Sequence, residues 1–166
     1  VDNLKPGSIV LDIGTNNGML AIIMANLVNC RGDLSQKRGS VTSLEIKSEK
    51  VEKCLDNIKN DTINRDLLLE DNQDHFKVVE GNGRTGYPEN LNKKLYDVIH
   101  VSASNVAKEA PPYLKYQLKE GGLMFIPINL DGKAGVRIYQ RSKGKIKFIT
   151  TDLILDESMM SSELEK

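Results

Sequence analysis

Ser8-Ile9-Val10-Leu11-Asp12-Ile13-Gly14-Thr15-Asn16-Asn17-Gly18-Met19-Leu20 is the stretch whose reading decides the fold. After Pro6-Gly7, residues 8–13 form a short, nearly continuous apolar run, the pattern of a strand buried on both faces of a parallel sheet. The run ends at Gly14. Beyond the turn, Leu20, Ile23, Met24, Leu27 and Val28 recur at i, i+3, i+4, i+7 and i+8, which predicts an amphipathic helix with that stripe turned inward. Strand, glycine-containing turn and helix together open an alternating α/β chain.

The alternation continues outward from this unit. Residues 30–39 are polar and read as a loop before a second strand, Ser40 to Ile46. A helix follows, with Ser48 as its N-cap and Val51, Leu55 and Ile58 as its buried face. Residues 60–75 are charged and read as a helical or irregular connection on the surface. Residues 76–81 and 96–101 predict the third and fourth strands, with a polar loop between them. Pro111-Pro112 opens a short helix to Lys119, closed by Gly121-Gly122, and residues 123–128 make strand five. Residues 136–141 and 146–155 then read as an antiparallel pair. The predicted fold class is α/β: a doubly wound, mostly parallel sheet with an antiparallel strand pair at its C-terminal end.

Bulk properties bound the rest. At 166 residues and 18.5 kDa, residues 1–166 are expected to form a single domain. Lysine plus arginine equals aspartate plus glutamate at 23 each, so no global field recruits nucleic acid or an anionic membrane. The two cysteines, Cys30 and Cys54, fall at a helix end and on a helix face, without C-x-x-C spacing, which fits a reducing, cytoplasmic setting. No apolar run reaches the roughly 18 residues of a membrane span. His75 and His100 show no ligand spacing, so no metal is expected. No segment asks for a partner copy, and a monomer is the expectation. The chain begins at Val1, where a preceding helix or loop is expected, so the domain is expected to lack its N-terminal part.

Candidate site residues collect at the carboxyl ends of successive strands, where open α/β sheets bind ligands. Asp12, Gly14, Thr15 and Gly18 belong to the first turn. Gly14 permits a tight turn, Gly18 close helix packing, and free N–H groups at the helix start can face an anion or carboxylate. The turn does not match G-x-G-x-x-G, which counts against a pyrophosphate cofactor and a nicotinamide dehydrogenase. Glu45 ends the second strand, where a carboxylate can accept hydrogen bonds from both ribose hydroxyls. Asn82 and Gly83 follow the third strand, where a side-chain amide beside unhindered backbone can meet an adenine edge. Each alone is more often an ordinary turn or solvated helix start; three in register along one sheet edge point to a ligand site.

Four ordered motifs carry a narrower resemblance. Leu11-Asp12-Ile13-Gly14-Thr15-Asn16-Asn17-Gly18-Met19-Leu20, Val79-Glu80-Gly81-Asn82-Gly83-Arg84-Thr85-Gly86-Tyr87, Tyr96-Asp97-Val98-Ile99-His100-Val101-Ser102-Ala103 and Gln117-Leu118-Lys119-Glu120-Gly121-Gly122-Leu123-Met124-Phe125-Ile126-Pro127 are similar to the L-D-[VI]-G-[ST]-G-[ST]-G-Y-L, V-x-G-D-G-R-x-G-Y, Y-D-x-I-H-V-G-A and Q-L-K-P-G-G-R-L-x-x-P segments of the protein-L-isoaspartate (D-aspartate) O-methyltransferases. The first motif is widespread among methyltransferases, whereas the combination with the second and third is narrow. The resemblance implies a Rossmann-like domain that binds S-adenosyl-L-methionine, with Gly14, Thr15 and Gly18 along its methionine and sugar portions, Glu45 on the ribose and Asn82-Gly83 at the adenine. It implies a protein-repair activity: methylation of the free carboxylate of isoaspartyl residues in damaged peptides and proteins, followed by collapse to a succinimide. A carboxylate nucleophile and a sulfonium methyl need alignment and desolvation more than acid–base catalysis.

The departures matter as well. Asn16 stands where the family has the middle glycine of the first loop, Asn82 where it has aspartate, and Asp156 near its C-terminal threonine. The family's active-site serine or threonine segment precedes the first strand and has no counterpart here, so no catalytic residue is carried over. These departures support the alternative of a catalytically altered pseudo-methyltransferase that acts as a protein-binding module. A methyltransferase with a different acceptor is a third reading. Among the remaining candidates, His100 reads as a hydrogen-bonded core histidine, Ser102 and Ser104 as strand-end polar residues, and Tyr113 and Tyr116 as packing and solvent-edge residues. Lys47, Lys50, Lys53 and Lys59 read as a solvated helix face.

Overall fold

The computed structural model describes residues 3–31, 35–89, 91, 93, 95–102, 109–130 and 133–154. Its elements are β1 (Ile9–Ile13), α1 (Met19–Leu27), β2 (Ser40–Glu45), α2 (Ser48–Asn60), two 3-10 turns (Arg65–Leu68 and Glu70–Asn72), β3 (Phe76–Glu80), β4 (Tyr96–Val101), α3 (Pro112–Gln117), β5 (Leu118–Leu130), β6 (Lys133–Ser142) and β7 (Lys145–Ile154). The seven strands form one sheet in the order β3-β2-β1-β4-β5-β6-β7. Strands β1 to β5 pair in parallel, and β6 and β7 pair antiparallel, as the pattern of the chain predicts. The chain winds outward from β1 through β2 to β3, then returns to β4 on the other side of β1. The switch point for a ligand therefore lies at the carboxyl ends of β1 and β4.

Period-two alternation sorts the strand residues between two cores. Val10, Val41, Val78 and Val98 face the side covered by Met24, Ala25, Cys54, Ile58 and Leu67. Leu11, Leu44, Ile99 and Met124 face the other, against Leu114, Leu118 and Tyr139. Both faces are covered, which is why β1 reads as a nearly continuous apolar run and why β2 buries even Thr42 and Ser43.

Several local expectations are revised. The face α1 buries consists of Ala21, Met24 and Ala25, whereas Leu20 and Ile23 of the predicted stripe are 37% and 46% exposed. The helix is apolar at every position but Asn26, so periodicity could not choose between faces, and small alanines let it lie close to the sheet. In α2 the helix begins at Ser48 itself, Lys47 occupies the cap position without a side-chain cap bond, and Cys54 joins Ile58 as a fully buried residue. The connection between α2 and β3 is not purely superficial, because Leu67 is fully buried in the core beneath α2. Helix α3 ends at Gln117, and Gly121-Gly122 lie inside β5 instead of terminating a helix. There the β4–β5 register jumps from Tyr96↔Leu118 to Val98↔Leu123, and the glycines absorb the extra residues of that irregularity, Gly121 at φ +79°. Lys143 and Gly144, both at positive φ, turn β6 into β7 as a two-residue hairpin loop.

Candidate functional site

At the carboxyl edge, backbone hydrogen bonds tie the strand exits together. Gly14 N–H donates to Leu44 O at 2.8 Å, joining β1 to β2, and Ser102 N–H donates to Ile13 O at 2.8 Å, joining β4 to β1. Between them the turn after β1 runs through three left-handed residues: Gly14 at φ +83°, Asn16 at +51° and Gly18 at +87°. Asn16 therefore occupies the conformation a glycine would take freely, and asparagine is one of the few other residues that tolerates it. Its side chain is exposed. Several amides of the turn are already engaged. Thr15 N–H also bonds Leu44 O, Gly18 N–H bonds Thr15 O and Met19 N–H bonds the Asn17 side-chain oxygen. With so many donors already taken, the turn is poorly equipped to cradle a pyrophosphate.

Glu45, 5% exposed at the end of β2, turns its carboxylate into this turn. Oε2 accepts from Asn16 N–H at 3.3 Å and Oε1 from Ile46 N–H at 3.0 Å. A carboxylate offers about four lone-pair positions, so these two bonds orient the group and leave acceptor capacity on each oxygen for a diol. Beneath the turn, Asp12 is fully buried, with Oδ1 2.9 Å from His100 Nδ1 and Oδ2 accepting from Ser43 Oγ at 3.3 Å. Ser43, Asp12 and His100 share one register row across β2, β1 and β4, which brings three distant polar residues together. His100 is hydrogen-bonded as expected but is not a core residue, for its side chain is 27% exposed. Thr15 Oγ1 is buried with no well-formed hydrogen bond, and its neighbour is the Cys54 thiol on α2. Burial pushes that thiol up to about 11, against the opposing pull of the Thr15 hydroxyl. The thiol also lies against Gly18, where a Cβ would come 2.7 Å from Cys54 Sγ.

After β3, Asn82 folds the chain back on itself. Its Oδ1 accepts from Arg84 N–H at 3.0 Å and its carbonyl from Thr85 N–H and Oγ1 at 3.0 and 2.8 Å, leaving the side-chain amide nitrogen as the group for a ligand acceptor. Gly83 is glycine for a packing reason, because a Cβ there would lie 2.2 Å from Ile13 Cγ2. The loop is held from behind by Gln117, fully buried at the end of α3. It accepts from Tyr87 N–H at 3.0 Å and donates to Pro88 O at 3.0 Å and Leu91 O at 3.1 Å, while Tyr96 Oη donates to Tyr87 O at 2.6 Å. Sequence reasoning took Gln117 only as a motif letter, read Cys54 only as a helix-face cysteine and did not single out Ser43. For Ser43 the available signal was a small polar residue inside a predicted buried strand.

The structure thus places Asp12, Gly14, Thr15, Gly18, Glu45, Asn82 and Gly83 along one edge, at the ends of β1, β2 and β3. Glu45 and Asn82 present acceptor and donor groups along this edge, Asp12 is hydrogen-bonded to His100 and Ser43 beneath it, and Gly18 and Gly83 lie close against Cys54 and Ile13. Ser104 and Asp156 lie outside the described residues. A groove of about 290 Å³ opens elsewhere, at the amino end of β3 between Leu55, Lys59, Phe76 and Lys77, remote from this chemistry. Among the described residues no cluster of three or more histidine, cysteine, aspartate or glutamate side chains is arranged to hold a metal ion, and no helix is long and apolar enough to cross a membrane.

Residues 1–154 match the family model described as protein-L-isoaspartate(D-aspartate) O-methyltransferase. The chain is 31% identical over 150 residues to a Caenorhabditis elegans protein-L-isoaspartate O-methyltransferase, covering 88% of this chain and 58% of that one. It is 36% identical over 124 residues to a Staphylothermus marinus protein of the same name, covering 75% and 48%. A Plasmodium falciparum structure described as a protein-L-isoaspartate O-methyltransferase in complex with S-adenosyl-L-homocysteine superposes with a TM-score of 0.73 at 30% identity, covering 92% of this chain and 66% of that one. The chain spans about half the length of the curated relatives it matches.

Proposed function

The chain belongs to the protein-L-isoaspartate (D-aspartate) O-methyltransferase family, and from that premise we propose that its carboxyl edge binds S-adenosyl-L-methionine for methylation of isoaspartyl carboxylates in damaged proteins. The observation that carries this reading is Glu45: a buried carboxylate held in place by the Asn16 and Ile46 amides, with acceptor capacity left over, between the turn after β1 and Asn82. Bound there, the cofactor supplies a sulfonium-activated methyl group. Glu45 accepts from the ribose hydroxyls, the Asn82 amide nitrogen donates to an adenine ring nitrogen, and Gly14, Thr15 and Gly18 shape the turn. The protein's part is to align the two reactants and exclude water, since the acceptor carboxylate is already ionised at neutral pH. We place this activity in a single domain over residues 1–166, acting as a cytoplasmic monomer on isoaspartyl-containing peptides and proteins, independently of nucleic acid or membrane.

Calorimetric titration with S-adenosylhomocysteine tests the reading. Binding by the wild-type chain, weakened about tenfold or more in Glu45→Ala through loss of charge-assisted bonds, is the expected result. Wild-type binding that Glu45→Ala leaves untouched overturns the assignment of the site. A second reading, a protein-binding module that has given up catalysis, is favoured by one observation, the exposed Asn16 side chain at positive φ in the turn after β1. Methylation of an isoaspartyl peptide by the full-length polypeptide eliminates it.

A further inference from the structure

His100 is an ionisable side chain at this edge that the proposed function leaves unused, and its neighbour Asp12 is another. With adenine at the end of β3 and ribose at the end of β2, the nucleoside runs in the sheet order β3-β2-β1-β4. The amino-acid end of the cofactor is then carried past β1 to the exit of β4, where His100 and Ser102 stand. Asp12 Oδ1 lies 2.9 Å from His100 Nδ1, and Ser102 Oγ lies 3.3 Å from the same nitrogen. A fully buried carboxylate must be met by donors, and besides the Ser43 hydroxyl the imidazole is what Asp12 has. Nδ1 therefore carries a proton, and the contact fixes both tautomer and ring orientation. The opposite ring nitrogen, Nε2, has no hydrogen-bond partner among the described residues, on a side chain that is 27% exposed.

We propose that His100, oriented by Asp12, is a binding residue for the amino-acid end of S-adenosylmethionine, its Nε2 accepting a hydrogen bond from the α-ammonium group. This rests on the proposed function above, and the test separates the two. Calorimetry on the full 166-residue chain compares S-adenosylhomocysteine with 5′-methylthioadenosine, which keeps the nucleoside and thioether but lacks the amino acid. His100→Phe is expected to lose about tenfold in affinity for the first and less than twofold for the second, the scale of one hydrogen bond. Equal losses for both ligands, or no loss for either, overturn the assignment while leaving the site itself standing. Absence of wild-type binding to both ligands overturns the proposed function and this inference with it. Nitrogen NMR of the wild-type imidazole, recorded where the ring is neutral, needs no variant. A protonated Nδ1 and an Nε2 signal that moves with S-adenosylhomocysteine but not with 5′-methylthioadenosine are expected. A ring protonated on Nε2 refutes the proposal.

Discussion

Replacing Gly18 by alanine tests the packing beneath the turn. Gly18 sits at φ +87°, where an L side chain costs about 1–2 kcal/mol. The added Cβ would also stand 2.7 Å from Cys54 Sγ and 3.4 Å from the Ile58 side chain, both fully buried and without room to yield. Overpacking of a well-filled core costs roughly 1–3 kcal/mol. Together these effects predict a loss of about 2–5 kcal/mol, visible as a lower midpoint in urea at unchanged m-value. The steric part can be isolated. Cys54→Ala removes the clashing sulfur but not the backbone strain, so the double variant Gly18→Ala/Cys54→Ala should fall short of the sum of the single losses by about 1–3 kcal/mol. A Gly18→Ala loss under about 0.5 kcal/mol, or strict additivity in the cycle, refutes the claim that this glycine is required by α2.

Three further outcomes are expected. Asn16→Gly places glycine at φ +51° and removes the exposed side chain, so affinity for S-adenosylhomocysteine should rise several-fold by calorimetry while stability changes by less than about 1 kcal/mol; unchanged or weaker affinity shows that Asn16 does not narrow the site. Gln117→Leu leaves the Tyr87 amide and the Pro88 and Leu91 carbonyls without their partner, and denaturant titration should record a loss of about 2–4 kcal/mol. The third concerns pH. An unfolded thiol ionises near 9.0, whereas burial holds Cys54 to about 11 and Cys30 to about 12, so the folded state keeps protons that the unfolded state releases. Stability is therefore unaffected by these groups below pH 9 and declines as pH rises from 9 toward 11 and 12, an effect that urea midpoints at pH 8 and 10.5 would register and that Cys54→Ala should diminish.

Local periodicity made the alternation of strands and helices legible because a strand covered on both faces is largely apolar. Residues 8–13 and 96–101 carry that pattern in the chain itself. It was silent where composition did not discriminate. Helix α1 is apolar at every position but Asn26, so only contact with the sheet chose Ala21, Met24 and Ala25 over Leu20 and Ile23. The glycine pair 121–122 reads equally well as a helix stop or as an irregularity within a strand, and the β4–β5 pairing decided for the second.

The same division runs through the site. That Glu45 and Asn82 fall at strand ends follows from the sequence, since each lies at the end of a predicted strand and the carboxyl ends of parallel strands share one edge. By itself the chain determined the α/β class, the edge and the residue types along it. Tertiary structure alone decided how those groups are engaged. Parallel register placed Ser43, Asp12 and His100 in one row although 31 and 88 residues separate their bonded pairs. Burial then obliged Asp12 to find donors there, and the approach of α2 made Gly18 a packing requirement as much as a turn. Hydrogen bonds and steric contacts act over a few ångströms in space irrespective of separation along the chain, and one-dimensional patterns do not carry that information.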